Sequence, residues 1–370
     1  LAYKALKDMN SQISITAAQL LGALAGPKDE EDLEKALKKV EQWQVEASLL
    51  EALVALDAEH AKKVLSRLRE RRDPYQRAAL LKALAGEPQN YSYLKERLEG
   101  RAHPVIKTAS IETLVEIRNS PNLRQYAKIR PSIHEEFAEI WKQAILTGDI
   151  SLIYHASREL RNPKHRYIQH YEDLSFISNT LERLELPKDV EAYQELQKTL
   201  TFLKGEESPP SIEKSMSHPI DWQVVESIPN RQRLQIITGK GNILLELMVE
   251  KAPGTVANIV ELTKKGFYNG KTFHRVVPNF VAQGGCPRGD GFGGLPYTIR
   301  SEFAPVYYDQ GSVGVASAGK DTESCQWFIT HSPTPHLDGR YTIFAKVVRG
   351  MNVVQQLEVG DVIENASLFP

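Results

Sequence analysis

The stretch FHRVVPNFVAQGG, Phe273 to Gly285, offers chemistry with very few parts: one arginine, one glutamine and a wall of apolar side chains. Elsewhere in the C-terminal half the groups able to do chemistry are Gln326, His331, His336 and Tyr341, with apolar surface from Phe280, Val281, Phe328 and Leu337. A hydrolase needs a nucleophile and a base oriented by a third group. Neither Ser317 nor Ser324 has a local partner of that kind. A metal centre needs clustered His, Cys or carboxylates, and His274, His331 and His336 lack the spacing. Rotation about an X–Pro amide, however, needs only an apolar pocket and one fixed hydrogen-bond donor. Its barrier of about 18–20 kcal/mol comes from amide resonance. A guanidinium donating to the prolyl nitrogen favours the pyramidal, resonance-free transition state, which is catalysis by differential electrostatic binding.

The elements that must position these residues read as short strands. RLQIITGKGNILLELM, Arg233 to Met248, is two strand-like runs around Gly239-Lys240-Gly241 and predicts a hairpin. TVANIVELTKKG predicts a helix with Gly266 as its cap. Runs broken by glycines follow at Phe273 to Val277, Val281 to Gln283, Gly311 to Ala316, Trp327 to Thr330 and Tyr341 to Val348. Many short strands with few helices predict a closed antiparallel β-barrel. Within it GDGFGG, Gly289 to Gly294, satisfies G-x-G-x-x-G, and Asp309 follows 20 residues after Gly289. A dinucleotide site needs a helix N-terminus after those glycines to supply phosphate-binding amides. Here LPYTIR follows, so a strand is expected instead, with the glycines forming a tight loop.

The segment from about Arg233 to Ile363 resembles the cyclophilins, peptidyl-prolyl cis–trans isomerases. FHRVVPNFVAQGG, GSVGVASAGKDTESCQWFI and HLDGRYTIFAKVVRGMNVV match that family's successive signatures in order. The resemblance covers about a third of the chain and implies the following roles. Arg275 would be the catalytic arginine, with Gln283 binding the substrate carbonyl and steadying it. Phe280 and Phe328, with Val281 and Leu337, would hold the substrate proline ring. Ala316 and Ser317 would pair by their backbone with the residue before the proline, and Gly291 and Gln326 would line the neighbouring groove. His336 and Tyr341 would complete the substrate-binding wall. The departures are Val281 where methionine is frequent, Tyr341 where many eukaryotic members have histidine, and Cys325 and Trp327 where Ser and Phe are commoner. His336 replaces a tryptophan that contacts ciclosporin, so weak inhibition by that drug is expected.

Up to Lys204 the grammar is different. EEDLEKALKKVEQW and HAKKVLSRLRERR place apolar residues three and four apart, so residues 1–204 are expected to be all-α. Leu21, Leu50, Leu81, Ile111 and Trp141 align at spacings of 29, 31, 30 and 30 residues, the last more loosely. A period near 30 with two helices per unit indicates a helical solenoid. DPYQRAALLKAL and HPVIKTASIETL resemble HEAT-like repeats, with Arg77 and Lys107 in the basic position and Glu46 departing from it. An irregular helical bundle is the alternative. GEESPPSIEKSMSH, residues 205–218, has linker composition, leaving 219–370 as the isomerase-like domain.

At 370 residues the chain suits two domains, so the expected architecture is multidomain: an N-terminal all-α HEAT-like solenoid and a C-terminal closed β-barrel. Net charge is −1, which gives no bulk electrostatic pull toward nucleic acid or a membrane surface, and no apolar run is long enough to span a bilayer. The two cysteines, Cys286 and Cys325, allow at most one bridge. The run Arg67 to Arg72 reads as a solvated helix face, and His155, His165 and His170 fit no ligand pattern. No cofactor and no metal is implied. The first residue is Leu1, so a trimmed chain is expected and the compartment stays open between cytoplasm and cell envelope. The expected partners are proline-containing polypeptides, with a protein partner on the repeats. A non-catalytic proline-peptide binder or a holding chaperone is the second reading.

Overall fold

Aspartate and proline open the helices of the first half. Asp73 accepts hydrogen bonds from the amides of Tyr75 and Gln76, ahead of Pro74 at the first helical position. There the missing proline N–H breaks no intrahelical bond. Asp149 caps the helix Ile150–Leu160 in the same manner. The structure is a computed structural model that describes residues 1–8, 10–207 and 218–369. It divides into two units, Leu1–Leu184 with Glu191–Pro210, and Glu185–Val190 with Ser211–Pro370. The expected linker, 205–218, lies outside the described residues over 208–217.

In the first unit the helices Ser11–Leu24, Trp43–Leu56, Pro74–Lys82 and Pro104–Asn119 each pack against the next. Leu50, Leu81 and Ile111 are buried in them, and Leu21 is half-buried against the first hydrophobic cluster. The series then changes phase. Pro104–Asn119 packs mainly on Ile150–Leu160 rather than on Ile133–Leu146, the helix that carries Trp141. Small residues explain the choice: Ser151, Ala156 and Ser157 are buried on the chosen helix, and Thr108 donates to Ser151 Oγ at 2.7 Å. Trp141 instead enters a polar core. Its Nε1 and Arg118 Nε both donate to the Tyr167 hydroxyl, at 2.9 and 3.0 Å, and that hydroxyl donates to Glu159 Oε1 at 2.9 Å.

One surface expectation is refined as well. Arg67 and Arg71, read as part of a solvated face, hold the buried Glu46 carboxylate at 3.0 and 2.5 Å. His165 Nδ1 lies 2.6 Å from Glu159 Oε1, and among the described residues no group of three His, Cys, Asp or Glu could hold a metal ion. No helix there is long and apolar enough to cross a membrane.

Among the described residues, the strands of the second unit form one antiparallel sheet of eight. In chain order these are β1 (Arg233–Thr238), β2 (Gly241–Leu247), β3 (Arg275–Val277), β4 (Val281–Gly284), β5 (Ser312–Val315), β6 (Trp327–Thr330), β7 (Ile343–Arg349) and β8 (Ile363–Phe369). Their order across the sheet is β3-β4-β6-β5-β7-β2-β1-β8. Strict alternation sends Leu234, Ile236, Ile243 and Leu245 inward, where the helix Pro253–Lys264 covers them with Val256, Ile259 and Val260.

The expected closed barrel is an open, curled sheet. β3 and β8 are its two ends, and the chain just ahead of them comes together over a short stretch, with an isolated bridge from Thr272 to Val362 and four backbone hydrogen bonds between residues 270–273 and 360–363. Gly270 and Gly360, at φ 77 and 95, turn the chain at the two limits of that stretch and donate their amides across it, to Ile363 O at 2.8 Å and Phe273 O at 2.9 Å. After GDGFGG there is likewise no full strand. The segment makes a single bridge, Ile299 to Glu323, with no helix behind the glycines.

Candidate active site

Five paired strands lay one row of residues across the sheet. Arg275 on β3 faces Gln283 on β4, Gln283 faces Phe328 on β6, and Phe328 faces Gly314 on β5. Gly314 in turn faces Ile343 on β7. Because side chains alternate, this row points away from the core side that takes Ala282, Trp327 and Ile329. A separate apolar cluster forms there from Val281, Tyr308, Phe328, Leu337 and Ile343, flanked by Met248, Phe280, Val306, Ala316 and Tyr341. The site is thus the outer face of one end of the sheet.

Gly314 is needed for space. A Cβ there would stand 2.0 Å from the Tyr308 hydroxyl oxygen and 2.7 Å from Phe328 Cζ. Its absence lets Tyr308 stack beneath Phe328, centroids 5.7 Å apart at 20°. Tyr341 meets Phe328 edge-on at 5.9 Å. Leu337, on the 3₁₀ turn Pro335–Leu337, is buried in the cluster, while His336 on the same turn is exposed and stacks on Phe280 at 5.4 Å. The β3–β4 turn presents Phe280: Asn279 takes a left-handed φ of 59, a conformation that asparagine tolerates.

Arg275 stands at the rim of this cup. Its guanidinium carbon is 5.6 Å from the Phe280 centroid, and among the described residues it has no side-chain hydrogen bond or ion pair. Partial burial pulls its pKa down, and Tyr341 acts in the opposite direction. The group stays protonated, since guanidinium does not titrate in proteins. Next along the chain His274 has both ring nitrogens sealed from solvent, and burial, reinforced by the Arg275 charge, pushes its pKa down to about 4. Its ring packs under Gly291, whose added Cβ would lie 3.5 Å from His274 Cδ2.

A chain of amides forms the adjoining groove. Gln326 Nε2 donates to the carbonyls of Gly291 and Gly293 at 2.9 and 2.8 Å, and its Oε1 accepts from Gln283 Nε2 at 3.2 Å. Gln326 is therefore fully committed, whereas Gln283 Oε1 has no partner among the described residues. Ala316 N donates to the Gln326 carbonyl at 2.9 Å and continues β5 by one step. Beyond it the backbone of Ser317 makes no hydrogen bond among the described residues, which leaves a free edge for an extended peptide.

The structure brings together all twelve residues singled out for this site. His331, a candidate for chemistry, is buried behind the cup, and burial lowers its pKa. Ser324 is spent on accepting from the Leu295 amide. Cys286 and Cys325 are free and buried, with the Cys325 thiol pushed up to about 12 by burial. Sequence reasoning missed Tyr308, Gly314 and Ile343. Tyr308 lies in irregular chain with no period to signal burial, and a glycine needed for room looks like any other glycine.

The family model described as cyclophilin type peptidyl-prolyl cis-trans isomerase/CLD matches residues 233–368. Peptidyl-prolyl cis-trans isomerase B of Bacillus subtilis is 50% identical over 124 residues, 33% of this chain and 87% of that protein. A peptidyl-prolyl cis-trans isomerase of Helicobacter pylori is 46% identical over 139 residues, 36% of this chain and 86% of that protein. One from Synechococcus elongatus is 46% identical over 126 residues, 34% of this chain and 87% of that protein.

Proposed function

Through residues 233–368 the chain belongs to the cyclophilin-type peptidyl-prolyl cis–trans isomerases, and on that footing we propose that Arg275 supplies the reaction's single electrostatic donor. The observation that carries this reading is an unpaired guanidinium at the rim of an apolar cup. The substrate proline ring enters the cup formed by Phe280, Val281, Phe328 and Leu337, with His336 and Tyr341 as its walls. The preceding residue pairs with the free edge at Ala316 and Ser317, and Gln283, opposite Arg275 across the β3–β4 pair, has its Oε1 available to steady the guanidinium once peptide is bound. Gly291 and Gln326 line the groove beyond. As the amide twists, the prolyl nitrogen becomes pyramidal and gains a lone pair, and Arg275 donates to it. The twisted state is stabilised more than either planar one.

The test is the cis–trans exchange rate of a short X–Pro peptide on wild type and Arg275→Ala. Loss of one positioned donor of this kind costs about 10²–10³-fold in kcat, with peptide binding retained. No proton is transferred, so kcat stays level from pH 6 to 8. A wild type that binds the peptide without accelerating exchange makes the domain a recognition module.

For the helical unit we infer HEAT-like repeats that hold a protein partner near the isomerase. The spacing near 30 residues and the proline-started helices support this, as does the extended surface that stacked helix pairs offer. Deleting Leu1 to Lys204 is expected to change which proteins the isomerase acts on in the cell. An unchanged client set disposes of the idea.

A further inference from the structure

The loop between β5 and β6 carries Ala316, Ser317 and Gln326, and a buried acid lies beneath it. Glu323 is 1% exposed. Its Oε1 accepts from Ser301 Oγ at 2.5 Å, while Oε2 has no hydrogen-bond partner, and among the described residues no cation pairs with it. Ser301 is the hub of this arrangement. Its Oγ also accepts from the Asp321 amide at 2.9 Å, and its own amide donates to Asp321 Oδ1 at 3.0 Å. Ile299 N reaches the Glu323 carbonyl at 2.9 Å, and the Ala318 amide donates to Thr322 Oγ1 at 2.9 Å. The loop's shape therefore depends on a carboxyl group shut away from water.

Among the described residues the groups that bear on Glu323 include no cation, and Lys320 on the same loop is exposed. Asp321, on the same loop, opposes its ionisation. Tyr308, under the proline cup, bears on it from the other side and has its own ionisation suppressed by burial. On the facing segment Arg300 is exposed, and the Glu302 carboxylate is taken by the amides of Gly254 and Thr255 at 3.0 and 2.8 Å. A buried carboxylate without a cation costs several kcal/mol, so such a group stays neutral or draws in water by opening its surroundings. Burial accordingly raises the Glu323 pKa, with the Ser301 hydroxyl and the backbone amides of Glu323 and Thr322 pulling the other way.

We propose that Glu323 is a positioning residue: as a neutral acid it holds the Ala316–Gln326 loop in its binding shape, and its ionisation releases the loop and weakens peptide binding as pH rises. This rests on the isomerase reading of the same face. The device acts on KM and leaves kcat alone, because Arg275 lies on β3, outside the loop that Glu323 holds.

The experiment uses the full chain and one X–Pro peptide, with KM, kcat and peptide Kd measured from pH 5 to 9. Wild type is expected to show KM and Kd rising together, roughly threefold or more toward the alkaline end, at constant kcat. Glu323→Gln keeps the shape without the charge and should hold the low-pH KM throughout, while Asp321→Asn should keep the rise. Amide exchange at Ala318 and Asp321 in wild type needs no variant and should quicken over the same pH range beyond intrinsic base catalysis. A flat wild-type Kd with unchanged loop protection overturns the proposal, as does a Glu323→Gln variant that retains the rise. Absence of any rate acceleration would instead remove the isomerase reading, with Kd and loop protection still deciding the role of Glu323.

Discussion

His274 and Arg275 are chain neighbours with opposite surroundings, and the contrast shows what one residue step does on a strand. Arg275 faces the cup and solvent, while His274 is turned under Gly291, where a charge would be costly. The pKa of His274 is pushed down to about 4 from an ordinary value near ~6.5. The folded state therefore prefers the neutral ring. Its contribution is complete above the unfolded value and is lost as pH falls through the folded one. At 1.36 kcal/mol per unit this amounts to about 3 kcal/mol at most. Urea midpoints at pH 7 and pH 4.5 should differ more for wild type than for His274→Asn. An equal difference in both would mean that other groups carry the acid sensitivity.

At the scale of elements, the site depends on register. A one-residue slip of β4 against β6 would send Val281 and Gln283 to the core side. The wide cup also depends on β5 carrying no side chain at Gly314. Gly314→Ala is expected to cost about 1–3 kcal/mol by overpacking against Tyr308 and Phe328 and to raise KM as the cup floor shifts. Adding Tyr308→Phe removes the oxygen that would be 2.0 Å away and should recover part of the loss. A double variant no better than Gly314→Ala would place the strain on Phe328 and the Tyr308 ring carbon, which an added Cβ would meet at 2.7 and 2.9 Å. Thermal melts and peptide titrations read both effects.

At the scale of the molecule, the two units have separate cores: helical clusters in one, and the sheet interior with its outer cup in the other. Two unfolding transitions are therefore expected in calorimetry. Tyr167→Phe removes the oxygen that accepts from Arg118 and Trp141 and binds Glu159. Leaving those buried groups short of a partner should cost about 2–4 kcal/mol. Only the helical transition should move, with peptide isomerisation unchanged. A single transition displaced as a whole would show that the units unfold together.

Local rules suffice for much of this chain. Period and punctuation marked the helical half, the hairpin β1–β2, the helix after it and most strands to within a residue or two, since each signal lies within a few residues of chain. The arginine, the glutamines and the aromatic cup were legible because they sit in contiguous motifs. Other features depend on contacts between distant segments. The curled sheet stays open because its two ends touch only over residues 270–273 and 360–363. Ile150–Leu160 displaces the Trp141 helix because small residues pack closer than an indole. Tyr308 reaches the cup floor only because Gly314, six residues on and across the sheet, leaves a void for it. Glu323, one polar residue in a loop, became informative only once burial and the lack of a cation were known. Type and spacing along the chain select the chemistry available, and packing across it decides which groups keep water, charge and room.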